Sequence, residues 1–297
     1  MRRVFAFAVM LPLVAVAGSA GLVQPFGEME PVKASELLKV DFRANVVTGA
    51  SIESNPSAAN LLTLGACVAH PLPAGARFPR ARVRFCRADG RTALKEIWLV
   101  QGEVMVYSQA PTSFRHAVYV PDGASFAQLV VDLQEKGNAV AVSDIVYAHA
   151  DGLAEPTRNI NPSFDFGLYN ASGYSFMGSP RWRVAADGAN WFDLREGSCY
   201  PDPFPVVGGE ELEIRFRGDS PTWLHCYVCF YEDWSKVGEL NRNKKFFVLD
   251  VHNARHRRER VERFDVPANA TWARVYFQPT GELRDLRVTG RTKGVKR

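Results

Sequence analysis

The sequence predicts an all-β fold, with two tandem antiparallel β-sandwich domains after a signal peptide. Three observations lead to this fold class: short alternating apolar segments, a chemical pattern that occurs once in each half of the chain, and an N-terminus of the secretory type. No long helical pattern separates the alternating segments, so an antiparallel arrangement is expected rather than a parallel one.

Alternating or β-branched segments, with turn signals between them, occur throughout the chain. In the first half they span Ala81 to Arg87, Glu96 to Val100, Glu103 to Tyr107, His116 to Val120, Phe126 to Asp132 and Val140 to Tyr147. In the second half they span Glu211 to Arg217, Cys226 to Tyr231, Phe246 to Val251, Arg260 to Val266, Trp272 to Gln278 and Leu283 to Thr289. Only Ala34 to Val40 has a helical pattern, and it is expected to decorate the first domain. Strands at this spacing are typical of antiparallel sandwiches.

The second half repeats the pattern of the first in the same order. The matching segments are Cys67-Val-Ala-His-Pro-Leu-Pro73 with Cys199-Tyr-Pro-Asp-Pro-Phe-Pro205, Val120 to Asp132 with Val266 to Phe277, and Ser143 to Tyr147 with Arg284 to Val288. In the first pair a cysteine precedes two prolines that flank a large apolar residue. Because the copies lie about one domain length apart, the pattern predicts a duplicated domain.

The N-terminus has the composition of a secretory signal peptide. Met1-Arg-Arg3 precedes an uncharged apolar segment from Val4 to Ala17, and small residues follow through Ala20. The apolar segment is shorter than the roughly 20 residues that cross a bilayer, and no basic stop follows it. We therefore expect residues 1–20 to form a signal peptide, with cleavage after either Ala17 or Ala20, and the mature chain to be secreted, periplasmic or at the cell surface, with no transmembrane segment.

Composition and turn signals divide the remaining chain into two domains of ordinary size. The polar, turn-rich segment Asp151 to Arg158 marks the boundary. The predicted ranges are 21–152 for the first sandwich, 153–160 for the linker, 161–290 for the second sandwich and 291–297 for a basic tail. A formal net charge of +4 is too small to indicate nucleic-acid binding, and part of it lies in the signal peptide and the tail.

Five cysteines, Cys67, Cys86, Cys199, Cys226 and Cys229, occur in a chain expected to be exported. One disulfide in each domain would pair Cys67 with Cys86, and Cys199 with either Cys226 or Cys229. Buried reduced cysteines are the alternative. Cys226 and Cys229 lie three apart in an alternating segment and so face opposite sides, which disfavours a zinc or redox pair.

A succession of segments in the second half carries a family resemblance. They are Asn161-Pro-Ser-Phe-Asp-Phe-Gly167, Val206-Val-Gly-Gly-Glu-Glu-Leu-Glu-Ile-Arg-Phe216, Arg260 to Val275 and Arg284-Asp-Leu-Arg-Val288. This succession resembles the jelly-roll carbohydrate-binding modules of the galactose-binding-like superfamily, especially those appended to bacterial glycoside hydrolases. It covers residues 161–290, and the first half only in its closing third and its proline-flanked turn. The resemblance implies two jelly-roll sandwiches and a carbohydrate ligand.

The resemblance also implies a structural calcium between an acidic residue near the first strand and one in the last strand. The matching positions are Asp165 and Asp285, with Asp144 equivalent in the first half. Calcium takes about six to eight oxygen ligands, which backbone carbonyls would complete. The alternative is that these aspartates cap strand ends and turns.

Sugars are bound by flat aromatic faces with amides, carboxylates and arginines nearby. The aromatic candidates for ligand binding are Tyr169, Tyr174, Trp182, Trp191 and Trp234. For Trp182 and Trp191, a place in the core of the first strands is the alternative. Trp98, Trp223 and Trp272 lie in or beside predicted strands and are expected in the core.

The densest charge cluster, Arg255-His-Arg-Arg-Glu-Arg260, is followed by Arg263. Its Arg257 and Arg258 are candidates for binding a sulfated or uronic-acid glycan, because guanidinium groups bind planar anions through two hydrogen bonds. A solvated strand edge is the alternative, since charges there discourage edge-to-edge aggregation.

No sequence pattern of an enzyme is present. The chain has no Gly-x-Ser-x-Gly elbow, His-Glu-x-x-His helix or P-loop, and a duplicated sandwich of this size is more often a binder. We expect a non-catalytic protein that binds a polysaccharide or other glycan, with the better-formed site in the second domain. The alternative is a structural or protein-binding sandwich of a cell-envelope assembly. Exposed aromatics on one concave face would favour the first hypothesis, and buried aromatics with a large apolar patch between domains the second.

Overall fold

A computed structural model of the chain describes residues 22–46, 79–99, 112–134, 139–166, 172–178, 181–184, 188, 190–194, 197–219, 224–238, 244–249, 259–278 and 282–292. This part of the chain is all β, apart from one 3₁₀ turn at Trp234–Lys236. Its strands form four antiparallel sheets, two in each half of the chain. The predicted signal peptide, most of the predicted basic tail and the predicted strand Glu103 to Tyr107 lie outside the described residues.

The first half has two sheets that share one core. Its described strands are β1 Val23–Pro31, β2 Leu37–Val46, β3 Arg80–Cys86, β4 Ala93–Trp98, β5 Thr112–Tyr119, β6 Phe126–Asp132 and β7 Val140–Ala150. One sheet has the order β1-β6-β3-β4 and the other β5-β2-β7. Phe42 of the second sheet and Phe85 and Leu129 of the first are buried in the same apolar cluster. The two sheets therefore pack face to face as a sandwich.

The second half repeats this plan with more strands. They are β8 Tyr174–Gly178, β9 Arg181–Val184, β10 Asn190–Asp193, β11 Gly197–Pro201, β12 Phe204–Pro205, β13 Glu211–Asp219, β14 Leu224–Tyr231, β15 Lys244–Leu249, β16 Glu259–Asp265, β17 Trp272–Gln278 and β18 Glu282–Arg291. One sheet has the order β16-β13-β18-β10-β9 and the other β15-β14-β17-β11-β8, with β12 also paired to β17. Ile214 and Leu286 of the first sheet share a core with Phe230 and Val275 of the second.

The sequence repeat corresponds to a repeat in strand pairing. β6 pairs with β3 as β17 pairs with β14, and β7 pairs with β2 as β18 pairs with β13. Asp144 and Asp285 occupy equivalent places in β7 and β18, both have positive φ (53° and 49°), and each adjoins a register shift in the neighbouring pairing. Each carboxylate lies 3.8 Å from an arginine of the paired strand, Arg43 and Arg217 respectively. The duplication thus extends to a bulge and its ion pair.

The helix predicted for Ala34 to Val40 is wrong. A turn with Ser35 at φ 67° precedes β2, which begins at Leu37. Leu38, Val40 and Phe42 alternate toward the core, and β2 is hydrogen-bonded on both sides, to β5 and β7. Pairing on both sides of the strand outweighs the local helical pattern.

The two halves are joined by a continuous apolar and hydrogen-bonded seam. Leu37, Ala117 and Tyr119 of the first half are buried in the core cluster of the second. The Tyr119 ring packs edge-on against Trp272 with centroids 6.5 Å apart, and Trp272 Nε1 donates to Asp122 Oδ2 at 2.7 Å. These apolar contacts and this hydrogen bond pack the two halves against each other, so they are joined by more than the linker.

The end of the predicted linker is built into the second half. Arg158, Asn159 and Ile160 are buried, and the Asn159 side chain donates to Leu286 O and accepts from Val288 N, at 2.7 and 2.8 Å. Through these two bonds the side-chain amide of Asn159 attaches the segment to the backbone of β18 and satisfies a buried N–H and a buried C=O group. At the other end of this half, Arg291 is the last residue of β18, whereas the prediction assigned it to the tail.

The predicted disulfides do not form among the described cysteines. Cys86, Cys199 and Cys229 are buried, and none of them is in a disulfide, whereas Cys67 lies outside the described residues. β17 lies between β11 and β14, and its Phe277 is the register partner of both Cys199 and Cys226. Two strand spacings, about 10 Å, separate the cysteine backbones, which exceeds the roughly 7 Å limit for a disulfide.

Candidate functional site

Three of the aromatic residues predicted to bind ligand are in the core. Tyr174 is 2% exposed, Trp191 1% and Trp234 6%. The Tyr174 hydroxyl donates to Asn161 O at 3.3 Å, Arg284 lies 4.2 Å above the Trp191 ring, and Trp234 packs edge-on against Trp272. A ring that stacks on a sugar needs an open face, so the ligand-binding role predicted for these three residues is corrected to a core role.

The other residues predicted to contact a glycan lie partly or wholly outside the described part of the structure. Trp182 pairs with Phe192 through the backbone of β9 and β10, but its side chain lies outside the described part of the structure. Tyr169, Arg257 and Arg258 lie wholly outside it. Within the basic cluster Arg260 is described and exposed, and in Arg263, which follows the cluster, Nη2 lies 2.9 Å from the buried carboxylate of Glu213.

The two aspartates predicted to bind calcium occupy ordinary turn and bulge positions. Asp165 is exposed, and its backbone N–H donates to Asn161 Oδ1 at 2.7 Å. Asp285 Oδ2 lies 3.8 Å from both Arg217 Nε and Arg284 Nε. Within the described ranges no group of three or more His, Cys, Asp or Glu side chains could hold a metal ion.

A polar and aromatic surface lies on the outer face of the sheet β15-β14-β17-β11-β8. Its aromatic members, called the tyrosine cluster here, are Tyr200, Tyr227, Tyr231 and Tyr276. Tyr227 and Tyr276 are register partners, and their rings stack with centroids 4.7 Å apart and planes 10° apart. Tyr200 lies beside Tyr276 at 5.1 Å.

Strand periodicity explains why these side chains share a face. Val228 and Val275 point into the core, so their neighbours Tyr227 and Tyr276 point outward. Tyr227 and Tyr276 keep part of their surface in solvent, whereas Tyr200 and Tyr231 are buried at its edges. The Tyr231 and Tyr276 hydroxyls lie 3.0 Å apart and share a hydrogen bond, which fixes the ring of Tyr276.

Two charged groups border the tyrosine cluster. The Arg274 guanidinium lies 5.7 Å from the Tyr200 ring and 5.4 Å from the Tyr276 ring, and its Nε donates to Pro201 O at 3.0 Å. Asp202 follows directly and accepts a hydrogen bond from Ser175 Oγ at 3.5 Å. The arginine is thus held over the rings by a backbone carbonyl, with its donor groups beside an aromatic surface.

Burial changes the acid–base properties of this surface. It raises the pKa of Asp202 to about 6, against the opposing effects of Arg274 and Ser175. It also raises the pKa of Tyr227 to about 12, with further contributions from Cys229, Tyr276 and Tyr200. Tyr227 is therefore a neutral hydrogen-bonding group at physiological pH, whereas Asp202 titrates close to it.

Sequence reasoning did not identify this site, although the sequence contains a signal for it. The candidates were sought in loops rich in tryptophan, whereas the observed surface is made by alternate positions of two strands. The signal was the alternation itself: Tyr227 and Tyr276 flank the core valines of segments that were correctly predicted as strands.

Comparison with known proteins gives distant similarities only. No protein-family profile matches the chain, and no curated protein matches it. Among solved structures, the N-terminal tandem domain CBM22-1-CBM22-2 of Paenibacillus barcinonensis Xyn10C is 12% identical with a TM-score of 0.28, over 88% of this chain and 80% of that one. The enzymatically active domain of tailspike protein 4 from Bacteriophage CBA120 is 12% identical with a TM-score of 0.32, over 46% of this chain and 21% of that one.

A third similar structure is a Listeria monocytogenes protein in complex with α- and β-D-glucose, magnesium and calcium. It is 10% identical with a TM-score of 0.27, over 56% of this chain and 14% of that one. Similarities of this size show neither a family nor a function for this chain. In the described part of the chain, no helix is long and apolar enough to span a bilayer.

Proposed function

We propose that the chain is an exported, non-catalytic carbohydrate-binding protein, and that its second half binds a neutral sugar at the tyrosine cluster. The observation that carries the proposal is the row of Tyr200, Tyr276 and Tyr227 across three neighbouring strands. The half-exposed rings of Tyr227 and Tyr276 offer apolar surface to the C–H groups of a pyranose, while Arg274, Asp202 and the phenol hydroxyls offer partners for sugar hydroxyls.

The rigidity of the surface supports a binding role. A row of rings on paired strands loses little conformational entropy when a ligand arrives, because stacking and the Tyr231 hydrogen bond already restrict the side chains. The jelly-roll topology implied by the family resemblance is part of the same proposal, since a sandwich of this kind offers one face of a sheet as a surface on which a sugar can bind. Export rests on the signal-peptide pattern of residues 1–20.

The proposal is tested by glycan-array screening of residues 21–297 with neutral, uronic and sulfated polysaccharides, followed by calorimetric titration of the best neutral ligand. Tyr227→Ala and Tyr276→Ala should each weaken binding about tenfold or more, since each removes a contact worth about 1.5 kcal/mol. Tyr227→Phe is the matched control that keeps the ring and removes only the hydroxyl. Unchanged affinity in both alanine variants, with the fold intact by circular dichroism, would exclude the tyrosine cluster as the site.

A structural calcium at Asp165 and Asp285 is a separate proposal that rests on the family resemblance alone. The guanidinium groups of Arg217 and Arg284 already compensate the Asp285 carboxylate, which works against a cation there. Thermal unfolding in calcium and in chelator decides the matter. If calcium raises the melting temperature of the wild type but not of Asp285→Asn, the result supports a bound calcium. If the unfolding curves in calcium and in chelator are equal, the calcium proposal is wrong.

The second candidate function is a structural or protein-binding role in a cell-envelope assembly. It is favoured by the burial of Trp191, Trp234 and Trp272 and by the apolar seam between the halves. Val146, 57% exposed on the sheet edge strand β7, adds apolar surface. A folded protein that binds no glycan on the array would make this the leading function.

A further inference from the structure

The outer face of the first sandwich carries a different chemistry at the place that corresponds to the tyrosine cluster. In the pairing of β3 with β6 and with β4, Val130, Arg82 and Trp98 form one cross-strand row. The equivalent row of the second half contains Tyr276, Tyr227 and Phe246. The duplication has therefore placed Arg82 where the other copy has Tyr227, and Trp98 where the other copy has Phe246.

Arg82 and Trp98 form a fixed stacked pair. The Arg82 guanidinium carbon lies 3.9 Å from the Trp98 ring centroid, a distance at which a cation interacts with the ring. Arg82 Nη1 donates to Glu96 Oε2 at 2.7 Å, and Nη2 donates to Asp132 Oδ2. Two carboxylates thus hold the guanidinium over one part of the indole, while Trp98 as a whole stays half-exposed.

Two further arginines lie on the same face of β3, because every second residue of a strand points the same way. Arg84 Nε donates to Glu96 Oε1 at 2.8 Å and is part of the network. Arg80, in contrast, is half-buried, with its guanidinium carbon 5.7 Å from the Trp98 centroid. Among the residues that the structure describes, no carboxylate forms an ion pair with Arg80. The carboxylates of Glu96 and Asp132 form ion pairs with Arg82 and Arg84, so the described part of this face has three arginines and two carboxylates in the network.

We propose that this face is a second ligand site that binds an anionic sugar, specifically a pyranose with a carboxylate, as in a uronic acid residue. The exposed part of the Trp98 ring takes the apolar side of the sugar ring. Arg80 takes the carboxylate, since its planar guanidinium matches a carboxylate through two hydrogen bonds. Arg82 is a positioning residue, because Glu96 and Asp132 already accept hydrogen bonds from both of its Nη groups and it keeps the indole in place.

The inference goes beyond the proposed function, because it concerns another sandwich and another ligand charge. Both proposals assume that the chain binds sugars, but each predicts a different ligand and a different set of sensitive residues. Two sites of unlike chemistry, held together by the seam between the halves, would favour a polymer that contains both neutral and acidic sugars.

The test is calorimetric titration of the full chain with an oligogalacturonate and with its methyl ester of the same length. The ester keeps the sugar rings and removes the negative charges. The acid should bind the wild-type protein at least about tenfold more tightly than the ester, since a charge-assisted hydrogen bond contributes about this factor. Arg80→Gln should weaken binding of the acid to the level of the ester, and Trp98→Ala should weaken both.

Matched variants make the result specific. Arg287→Gln removes an exposed arginine from a different sheet of the second half and should leave the affinity for the acid unchanged. Tyr276→Ala should also leave it unchanged. Trp98→Phe, which keeps an aromatic ring in the sheet, replaces Trp98→Ala if the latter fails to fold.

Three results would overturn the inference: equal affinity for acid and ester, equal affinity of Arg80→Gln and wild type for the acid, or no binding of the acid at all. None of these affects the proposed function, which requires binding of a neutral glycan that is sensitive to Tyr227→Ala and Tyr276→Ala. Conversely, binding of the acid alone, sensitive to Arg80, would support this inference and contradict the proposed site in the second half. Loss of binding of the acid in Tyr276→Ala would assign it to the tyrosine cluster instead.

Discussion

The indole nitrogen of Trp272 donates a hydrogen bond to Asp122 Oδ2 at 2.7 Å, between residues 150 positions apart in the chain. Asp122 belongs to the turn before β6, and Trp272 is the first residue of β17. Trp272 is fully buried, because Tyr119 of the first half and Trp234 of the second both pack on it edge-on. A single buried ring thus connects the cores of the two sandwiches.

Asp122→Ala should destabilise the protein by about 1–3 kcal/mol, because it leaves a buried indole N–H without its acceptor. The free energy of unfolding in urea measures this loss. Glu28→Ala, which removes an exposed carboxylate from β1, is the control and should change stability by less than about 0.5 kcal/mol. If the two variants unfold at the same urea concentration, the bond contributes nothing to the seam.

Arg158→Met should be among the most destabilising single changes, at about 3–5 kcal/mol, because it leaves Glu210 buried without a counter-charge. Arg158 Nη2 lies 3.1 Å from Glu210 Oε2, and both side chains are only 8% exposed. Glu210 Oε1 also accepts the backbone N–H of Val207 at 2.9 Å. The measurement is again the free energy of unfolding in urea.

A double variant separates loss of the pair from loss of packing. Arg158→Met with Glu210→Gln should recover a good part of the stability, because no isolated charge remains buried and glutamine keeps an acceptor for Val207. If the double variant is as unstable as the sum of the two single variants, the ion pair is not the reason that this segment is ordered.

The strands were largely predictable from the sequence because most of them are half-buried and alternate. Phe126–Asp132 and Trp272–Gln278 begin and end at the predicted residues, and both strands lie inside a sheet. β2 was mistaken for a helix because Leu37 and Leu38 are both buried, on opposite faces. Leu38 packs in the core of the first half and Leu37 in the core of the second. Contact between the halves therefore allows two consecutive apolar residues, which break the apolar–polar alternation expected of a strand.

The candidate site was less predictable, because burial depends on which sheet covers which face. Trp272 has the outward parity of Arg274 and Tyr276 in β17, yet the other half of the chain covers it. Trp98 was expected in the core, yet it lies half-exposed under Arg82. A pattern of period two gives the face of a residue but not the partner of that face, which only the tertiary structure supplies.

His149 should stabilise the protein only at low pH. Its Nε2 lies 2.8 Å from Glu30 Oε1 and its Nδ1 3.0 Å from Glu36 Oε1, so the ring connects β7 to β1 and to the turn before β2. Burial alone would lower the pKa of His149, but the hydrogen bonds to both glutamates outweigh it and raise the pKa above 6.5. The stabilisation is therefore complete below pH 6.5 and lost as the pH rises through the folded-state pKa.

The difference in melting temperature between the wild type and His149→Gln measures this effect, and it should be larger at pH 5.5 than at pH 8.5. Lys39→Gln removes an exposed charge from β2 and leaves His149 and both glutamates in place, so its difference should be the same at both values. A His149→Gln difference that does not change with pH would show that the charged imidazole does not contribute.

Asp202→Asn should stabilise the protein at neutral pH and above. Burial raises the pKa of Asp202 from 3.8 to about 6, so the folded state binds a proton more tightly than the unfolded state. The stability of the wild type therefore falls as the pH rises from 4 to 6, by at most about 3 kcal/mol, and stays lower above that range. Asparagine carries no charge, so its advantage in melting temperature should be small at pH 4 and largest at pH 8. Asp89, whose pKa is lowered by hydrogen bonds from Thr92 and Arg91, provides the opposite sign: Asp89→Asn should be less stable than wild type above pH 3.8, and this difference should disappear as the pH falls through the folded-state pKa of Asp89. If Asp202→Asn is instead less stable than wild type at pH 8, the attraction between Arg274 and the ionised carboxylate outweighs the cost of burying that charge.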